Sequence, residues 1–284
     1  MTGNPITWLN GDLIPAADAR IDPADRGLLL ADGLFETLLA RHGMIINLDR
    51  HITRLTEGAA ILGIPLPLSA TGLRAAASET LAANGLHDAD RASLRITLTR
   101  GPAGRGLALP AMPKPTLMIT ATEAPPAPQG LSVMTSSVRK VRTSPASALK
   151  TLSYTDHVIA RREADIAGAD EALMLTEQGG IACATIGNVF VMSGKRLLTP
   201  PDDGAIRAGI TRADVLTLAP DHGLIVDEAP LSPEALRSAD DIFLTNSLWG
   251  ICPVTELDGT RRQTTDATKK LAQALDDAWA SLTC

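Results

Sequence analysis

The sequence is short of the residues on which many functions are built. It carries no basic surplus, with 26 lysines and arginines against 32 aspartates and glutamates and a formal net charge of -6. That balance leaves nothing to grip a phosphate backbone and argues against nucleic acid as a partner. No apolar run approaches the length of a bilayer span, so no membrane role is expected. The opening stretch MTGNPITWLNGDLIP lacks the basic-then-apolar pattern of a signal peptide. The three cysteines, Cys183, Cys252 and Cys284, are odd in number and far apart, which does not make a disulfide framework. A reducing, cytoplasmic setting is the expectation. The five histidines, His42, His51, His87, His157 and His222, show no close metal-ligand spacing, no Cys-x-x-Cys occurs, and no metal site is expected. Gly-x-Ser-x-Gly and the phosphate-loop lysine motif are also missing. Metal hydrolysis, serine hydrolysis and P-loop chemistry are thereby disfavoured.

What is present is a folded chain. Its 284 residues, 45% hydrophobic and 20% charged, suffice for a sizeable core in one large or two medium domains. ITWLNGDLIP reads as a hairpin turning at Asn10-Gly11. LDRHITRLTEGAAILGI sets Ile52, Leu55, Ala59 and Leu62 at helical spacing, and ATGLRAAASETLAANGL is a second helix stopping near Gly85. ASLRITLTRG and PTLMITATEA read as strands. The proline-dense APPAPQG, residues 124–130, is the linker candidate between a small domain over 1–123 and a larger one over 131–284. Beyond it come the strand LSVMTSSVRKV, the helix SYTDHVIARREADIAGA, the strand EALML and a hairpin within NVFVMSGKRLL. The helix TRADVLTLAPDHG, the strand LIVDEA, a short helix capped by Ser232, the strand DIFLTNS and a closing amphipathic helix complete an α+β reading. The small residues of ACATIG, at 182–187, are poor packing material and would let the backbone approach something flat.

Six lysines occur against twenty arginines, and one sits oddly. Lys150, in SPASALKTLSYT, has small and apolar neighbours and no other charge between Arg142 and Asp156. Desolvation of such an ammonium lowers its pKa and prepares an amine for carbonyl chemistry. Tyr154, the single tyrosine, follows four residues later. Gly209-Ile210-Thr211 opens a helix where free amides and a hydroxyl could bind a phosphate, and LTNS, at 244–247, adds small polar groups. Arg54 offers a cation for the same phosphate. These features describe a cofactor with a phosphate tail and a carbonyl awaiting a lysine.

Here the sequence resembles the class IV aminotransferases, the fold type IV enzymes dependent on pyridoxal 5'-phosphate, which include branched-chain and D-amino acid aminotransferases and 4-amino-4-deoxychorismate lyases. WLNGDLIP, DRGLLLADGLFET, LDRHITRL, LRITLTRGPAGRGL, ALKTLSYTDHVIARREADIAGADEALML, GNVFVMSGKRLLTPP, GITRADVL and DDIFLTNSLWGICPV fall in family order. The resemblance implies a small N-terminal α/β domain, a larger C-terminal β-barrel-like α/β domain, and a homodimer. It implies that Lys150 holds the cofactor as a Schiff base and shuttles the substrate proton. Arg54, Gly209, Ile210, Thr211 and Ser247 match phosphate-binding positions, Tyr154 lies beside the cofactor, and Asn188 is read as a structural turn residue.

Arg100 and Arg105, in TRGPAGRGL, match a loop whose arginines hold a substrate carboxylate in relatives, a task suited to a guanidinium. Leu28, Leu30, Leu248 and Trp249 would line the substrate side of the pocket. Cys183 departs from the pattern, because the family normally carries glutamate there, paired with the protonated pyridine nitrogen. A neutral thiol cannot hold that proton well. The expectation is an aminotransferase moving an amino group between a small amino donor and a 2-oxo acid acceptor. Elimination of pyruvate by a lyase of the aminodeoxychorismate type, and a cofactor-binding protein of little turnover, are the alternatives.

Overall fold

The computed structural model describes residues 4–282, so Cys284 lies outside the described residues. The chain divides into two compact units. The first holds the chain up to Pro125 together with Leu149–Ser153, and the second holds Pro126–Ala148 and Tyr154–Ser281.

The first unit runs β1 (Ile6–Leu9), β2 (Asp12–Pro15), α1 (Arg26–Leu30), β3 (Gly33–Arg41), β4 (Met44–Ile45), α2 (Leu48–Leu62), α3 (Ala70–Ala83), β5 (Ala92–Thr99) and β6 (Thr116–Glu123). The β1–β2 turn places Asn10 and Gly11 at φ 53° and 116°, the left-handed pair that a two-residue hairpin needs. The strands form one antiparallel sheet in the order β2-β1-β6-β5-β3-β4. On α2 the expected apolar stripe is buried at Ile52, Leu55 and Ala59, and the partly buried Leu62 packs against the same core. Its end is set by Gly63 at φ 62°, whose N–H closes onto Ala59 and Ala60 carbonyls. Leu38, Leu94, Ile96, Leu98, Leu117 and Ile119 fill the core beneath α2 and α3.

The second unit runs β7 (Leu131–Lys140), α4 (Pro145–Ala148), α5 (Thr155–Ala167), β8 (Glu171–Thr176), β9 (Ile181–Ala184), β10 (Asn188–Ser193), β11 (Arg196–Thr199), α6 (Ile210–Leu218), β12 (Ile225–Glu228), α7 (Pro233–Ser238), β13 (Asp241–Asn246), β14 (Gly250–Leu257), β15 (Thr260–Arg261) and α8 (Asp266–Ser281). Its mixed sheet has the order β12-β11-β10-β13-β14-β7-β8-β9, with β15 beside β14. The pairs β11–β12, β14–β7 and β7–β8 are parallel. Phe190 and Phe243, opposite each other on β10 and β13, stack at 5.0 Å in its core. Ser232 caps α7 as expected, accepting from the Ala235 N–H at 3.1 Å.

Three details differ from the sequence reading. The stretch TRADVLTLAPDHG is not one helix: α6 stops at Leu218 and a 3-10 turn covers Ala219–His222, because Pro220 has no N–H to continue the ladder. The small-residue run begins as a strand, β9, paired antiparallel with β8. There Ala182 and Cys183 share a buried cluster with Ala160 and Ala164 of α5 and with Ala172, so small side chains are what let the helix sit close. β3 and β14 are strands that the sequence reading leaves unassigned. Among the described residues no helix is long and apolar enough to cross a membrane.

Candidate active site

In the first unit the site is built on β3. Side chains alternate along a strand, so Glu36 points to the same side as Leu34 and Leu38, into the core under α2, while Phe35 points the other way. Glu36 is 1% exposed and fully partnered. Arg54 donates from Nε to its Oε1 at 2.8 Å and from Nη2 to its Oε2 at 2.7 Å, and His51 donates from Nδ1 to the same Oε2 at 2.7 Å. Burial alone would raise Glu36, but the hydrogen bonds from His51 and Arg54 outweigh it and bring the carboxyl down to about 2. His51 is held below the ordinary histidine range, first by burial, against the opposing pull of Glu36. Its Nδ1 carries the proton that Glu36 accepts.

Lys150 belongs to this unit through a short backbone ladder. The Phe35 N–H donates to the Lys150 carbonyl at 2.9 Å, the Leu152 N–H donates to the Gly33 carbonyl at 3.0 Å, and Leu34 and Thr151 form an antiparallel bridge. A Cβ on Gly33 would lie 2.4 Å from the Leu98 carbonyl oxygen, so the close approach at that point depends on glycine. The ladder sets the Lys150 ammonium over the Phe35 ring, 4.2 Å from its centroid, with the Arg95 guanidinium over the same ring at 3.8 Å.

The loop arginines have separate settings. Arg100 is buried, donating from Nε and Nη2 to Asp32 and from Nη1 and Nη2 to the Gly63 and Leu62 carbonyls. Burial works against Asp32, yet Arg100 and Arg26 hold its carboxyl below the usual range. This is how a guanidinium anchors a chain turn. Arg105 is exposed on its loop. Leu28 and Leu30 are exposed too, at 69% and 44% of the surface they could show.

In the second unit Tyr154 and His157 occupy the first turn of α5 with their rings stacked at 4.2 Å. Arg207 Nη1 donates to the Tyr154 hydroxyl at 3.5 Å. His157 Nδ1 donates to the Thr185 carbonyl at 2.6 Å, which leaves Nε2 to accept from Lys140 Nζ at 3.2 Å. Thr185 turns its hydroxyl and its N–H to Glu171 Oε1, which also accepts from the Ala172 N–H. Cys183 is buried beside these groups, and burial pushes its thiol up, so it keeps its proton.

The start of α6 fits an anion. Gly209 is its N-cap and supplies no side-chain cap, and a Cβ there would lie 2.3 Å from Asn188 Oδ1. Asn188 holds the approach to the helix by donating to the Arg207 carbonyl at 3.0 Å, the structural role expected of it. Thr211, 2% exposed, has a buried hydroxyl oxygen with no partner among the described residues, and Thr245 of β13 has another. An uncapped helix start with an orphaned hydroxyl is a seat for a phosphate. Ser247 follows β13 in a turn where Asn246 Oδ1 accepts from the Leu248 and Trp249 N–H groups at 3.0 and 2.8 Å. Trp249 packs against the sheet core.

Sequence reasoning missed Glu36, His51, Lys140, His157, Glu171 and Arg207. Glu36 had a signal, being a lone carboxylate inside the apolar run GLFETLLAR. Lys140 gives no such signal at the end of its strand, where it is buried in a region on which α5 packs against β7 and β8.

The sequence matches the family model described as amino-transferase class IV over residues 33–257. A Methanocaldococcus jannaschii protein that carries the name of a branched-chain-amino-acid aminotransferase is 36% identical, over 95% of each chain. An aminodeoxychorismate lyase of Bacillus subtilis is 30% identical over 88% of this chain and 86% of its own. The solved structure of a branched-chain aminotransferase from Thermoproteus uzoniensis with norvaline superposes with a TM-score of 0.92 at 28% identity, covering 99% of this chain and 96% of that one. The chain belongs to the class IV aminotransferases, fold type IV enzymes that use pyridoxal 5'-phosphate and act on small amino and keto acids.

Proposed function

We propose that this enzyme moves an amino group between an amino acid or amine and a 2-oxo acid, with Lys150 as the residue that attaches the cofactor and carries the proton. The observation that carries the reading is the start of α6, where Gly209 supplies no side-chain cap and the Thr211 hydroxyl is buried without a partner among the described residues. When bound, pyridoxal 5'-phosphate supplies a carbonyl for the amine and an electron-poor ring that stabilises charge at the substrate carbon. The amides of Ile210 and Thr211 and the Thr211 hydroxyl hold its phosphate. Arg54 is the cation proposed for the same group, with its guanidinium angle set by Glu36. The Lys150 amine takes the proton from the substrate carbon and returns it. Tyr154 and Cys183 are assigned to the ring.

Arg105 is the exposed guanidinium available to a substrate carboxylate, and Leu28, Leu30, Leu248 and Trp249 are assigned to the substrate's apolar part. A second copy of the chain is proposed as the partner of the exposed Leu28-Leu29-Leu30 turn, in a cytoplasmic homodimer.

One observation favours a second reading. The lyase of Bacillus subtilis is a relative, and the Gly-Arg-Gly form of the loop GPAGRG looks most like the aminodeoxychorismate lyase version. Pyruvate release from aminodeoxychorismate would be its mark. Purified protein should absorb in the visible, and borohydride should fix the cofactor on Lys150, located by peptide mass. A panel of L- and D-amino acids, amines and aminodeoxychorismate then separates the two reactions: conversion to the pyridoxamine form marks transfer, and pyruvate release with the aldehyde form retained marks elimination. A colourless protein that takes up no cofactor would sink both.

A further inference from the structure

The setting of Cys183 in the second unit is charged in an unexpected sense. From β7, Lys140 brings an ammonium; from the segment before α6, Arg207 brings a guanidinium; and from β8, Glu171 brings a carboxyl. From α5, His157 brings a ring whose charge its hydrogen bonds determine. With Nδ1 donating to a carbonyl and Nε2 facing Lys140 Nζ, one proton lies between those two nitrogens, so the pair carries a single positive charge whichever holds it. Glu171 does not cancel two cations. It is one carboxyl against two, its Oε1 is occupied by Thr185 and Ala172, and burial pushes it up against the pull of those bonds. The thiol itself is protonated. Where relatives are expected to hold an anion, this chain presents a neutral donor flanked by cations.

Resting on the cofactor reading above, we propose that Cys183 meets the pyridine nitrogen as a hydrogen-bond donor, and that Lys140, fixed by His157, and Arg207 keep that nitrogen unprotonated. A pyridine with its lone pair free accepts from a thiol, whereas a pyridinium would set an N–H and a positive charge against an S–H and two cations. Lys140 is thus a residue that tunes the ring, and His157 is a positioning residue acting through it. Removing one buried cation should raise the proton affinity of the ring, by about two pH units.

The test reads the nitrogen directly. Holoenzyme loaded with pyridoxal 5'-phosphate labelled with 15N in the ring is followed by 15N NMR from pH 6 to 9. The wild-type resonance is expected at the unprotonated position throughout that range. Cys183→Glu should move it to the protonated position, and Lys140→Met should bring a protonation step into that pH range. Cys183→Ser, which keeps a small neutral donor, should leave it as in the wild type and guards against a Glu variant that fails to fold. A wild-type resonance at the protonated position overturns the inference, and so does a Lys140→Met resonance that titrates as the wild type does. A protein that retains no labelled cofactor overturns the cofactor reading and this one with it, whereas a retained but protonated ring overturns this one alone.

Discussion

Glu36 and Arg54 form a two-pronged ion pair, 2.8 and 2.7 Å along its two bonds, that ties β3 to α2 inside the core of the first unit. The carboxylate is the buried member, with His51 as its third donor.

That pair sets an acid limit on stability. Glu36 is brought from 4.5 to about 2 in the folded chain, a depressed value. Its stabilisation is therefore complete above about pH 4.5 and is lost as the pH falls through the folded value near 2. A gap of about 2.5 pH units corresponds to about 3 kcal/mol. Urea unfolding followed from pH 6 to pH 2 should show that loss in the wild type. Glu36→Gln should be less stable at pH 6 by about 3 kcal/mol and should flatten the acid limb. An unchanged acid limb in Glu36→Gln would show that other carboxylates set it.

Thr211→Val should separate binding from folding. The hydroxyl has no partner among the described residues, so its loss should leave the melting temperature of the cofactor-stripped protein unchanged or slightly higher. Affinity for pyridoxal 5'-phosphate should fall about tenfold, one hydrogen bond to a charged group. Affinity for pyridoxal, which lacks the phosphate, should not move. Fluorescence titration with both compounds checks this, and equal losses for the two would remove Thr211 from the phosphate.

The two loop arginines should respond oppositely. Arg100→Ala removes a buried guanidinium that bonds Asp32 and the Gly63 and Leu62 carbonyls, and should cost about 3 kcal/mol in urea unfolding. Arg105→Ala, on an exposed loop, should stay within about 0.5 kcal/mol of the wild type. Its KM for a carboxylate substrate should rise about tenfold or more, the loss of one charged hydrogen bond. Swapped behaviour would reverse the assignment.

The exposed leucines of α1 should report on association. Leu28→Glu adds a charge where three neighbouring apolar side chains, Leu28, Leu29 and Leu30, lie at 69%, 61% and 44% exposure. Analytical ultracentrifugation should show a dimer for the wild type and a shift toward monomer for the variant, without loss of helix signal. A wild-type monomer at micromolar concentration would end the dimer proposal.

Local chemistry made much of this protein readable in advance. Asn10-Gly11 dictates its turn, Gly63 its helix end and Ser232 its cap, each through bonds within a few residues. Lys150 stood out because its neighbours carry no charge. What escaped notice depends on pairing across long separations. Arg100 is spent on Asp32, 68 residues away, which no property of the loop sequence reveals. β9 escaped because Ala-Cys-Ala has no polar alternation, and its reason lies in Ala160 and Ala164 on α5. Lys140 and His157 are 17 residues apart and meet only after α5 folds back along β7.

The first turn of α5 is also a mechanical part. Tyr154 at its N-cap makes no side-chain cap hydrogen bond, and its ring instead stacks on His157 one turn along. The Tyr154 hydroxyl accepts from the Arg207 guanidinium, and the His157 ring faces the Lys140 ammonium. Unwinding that single turn would break both contacts together, and amide exchange at Asp156–Ile159 is a gauge of that turn.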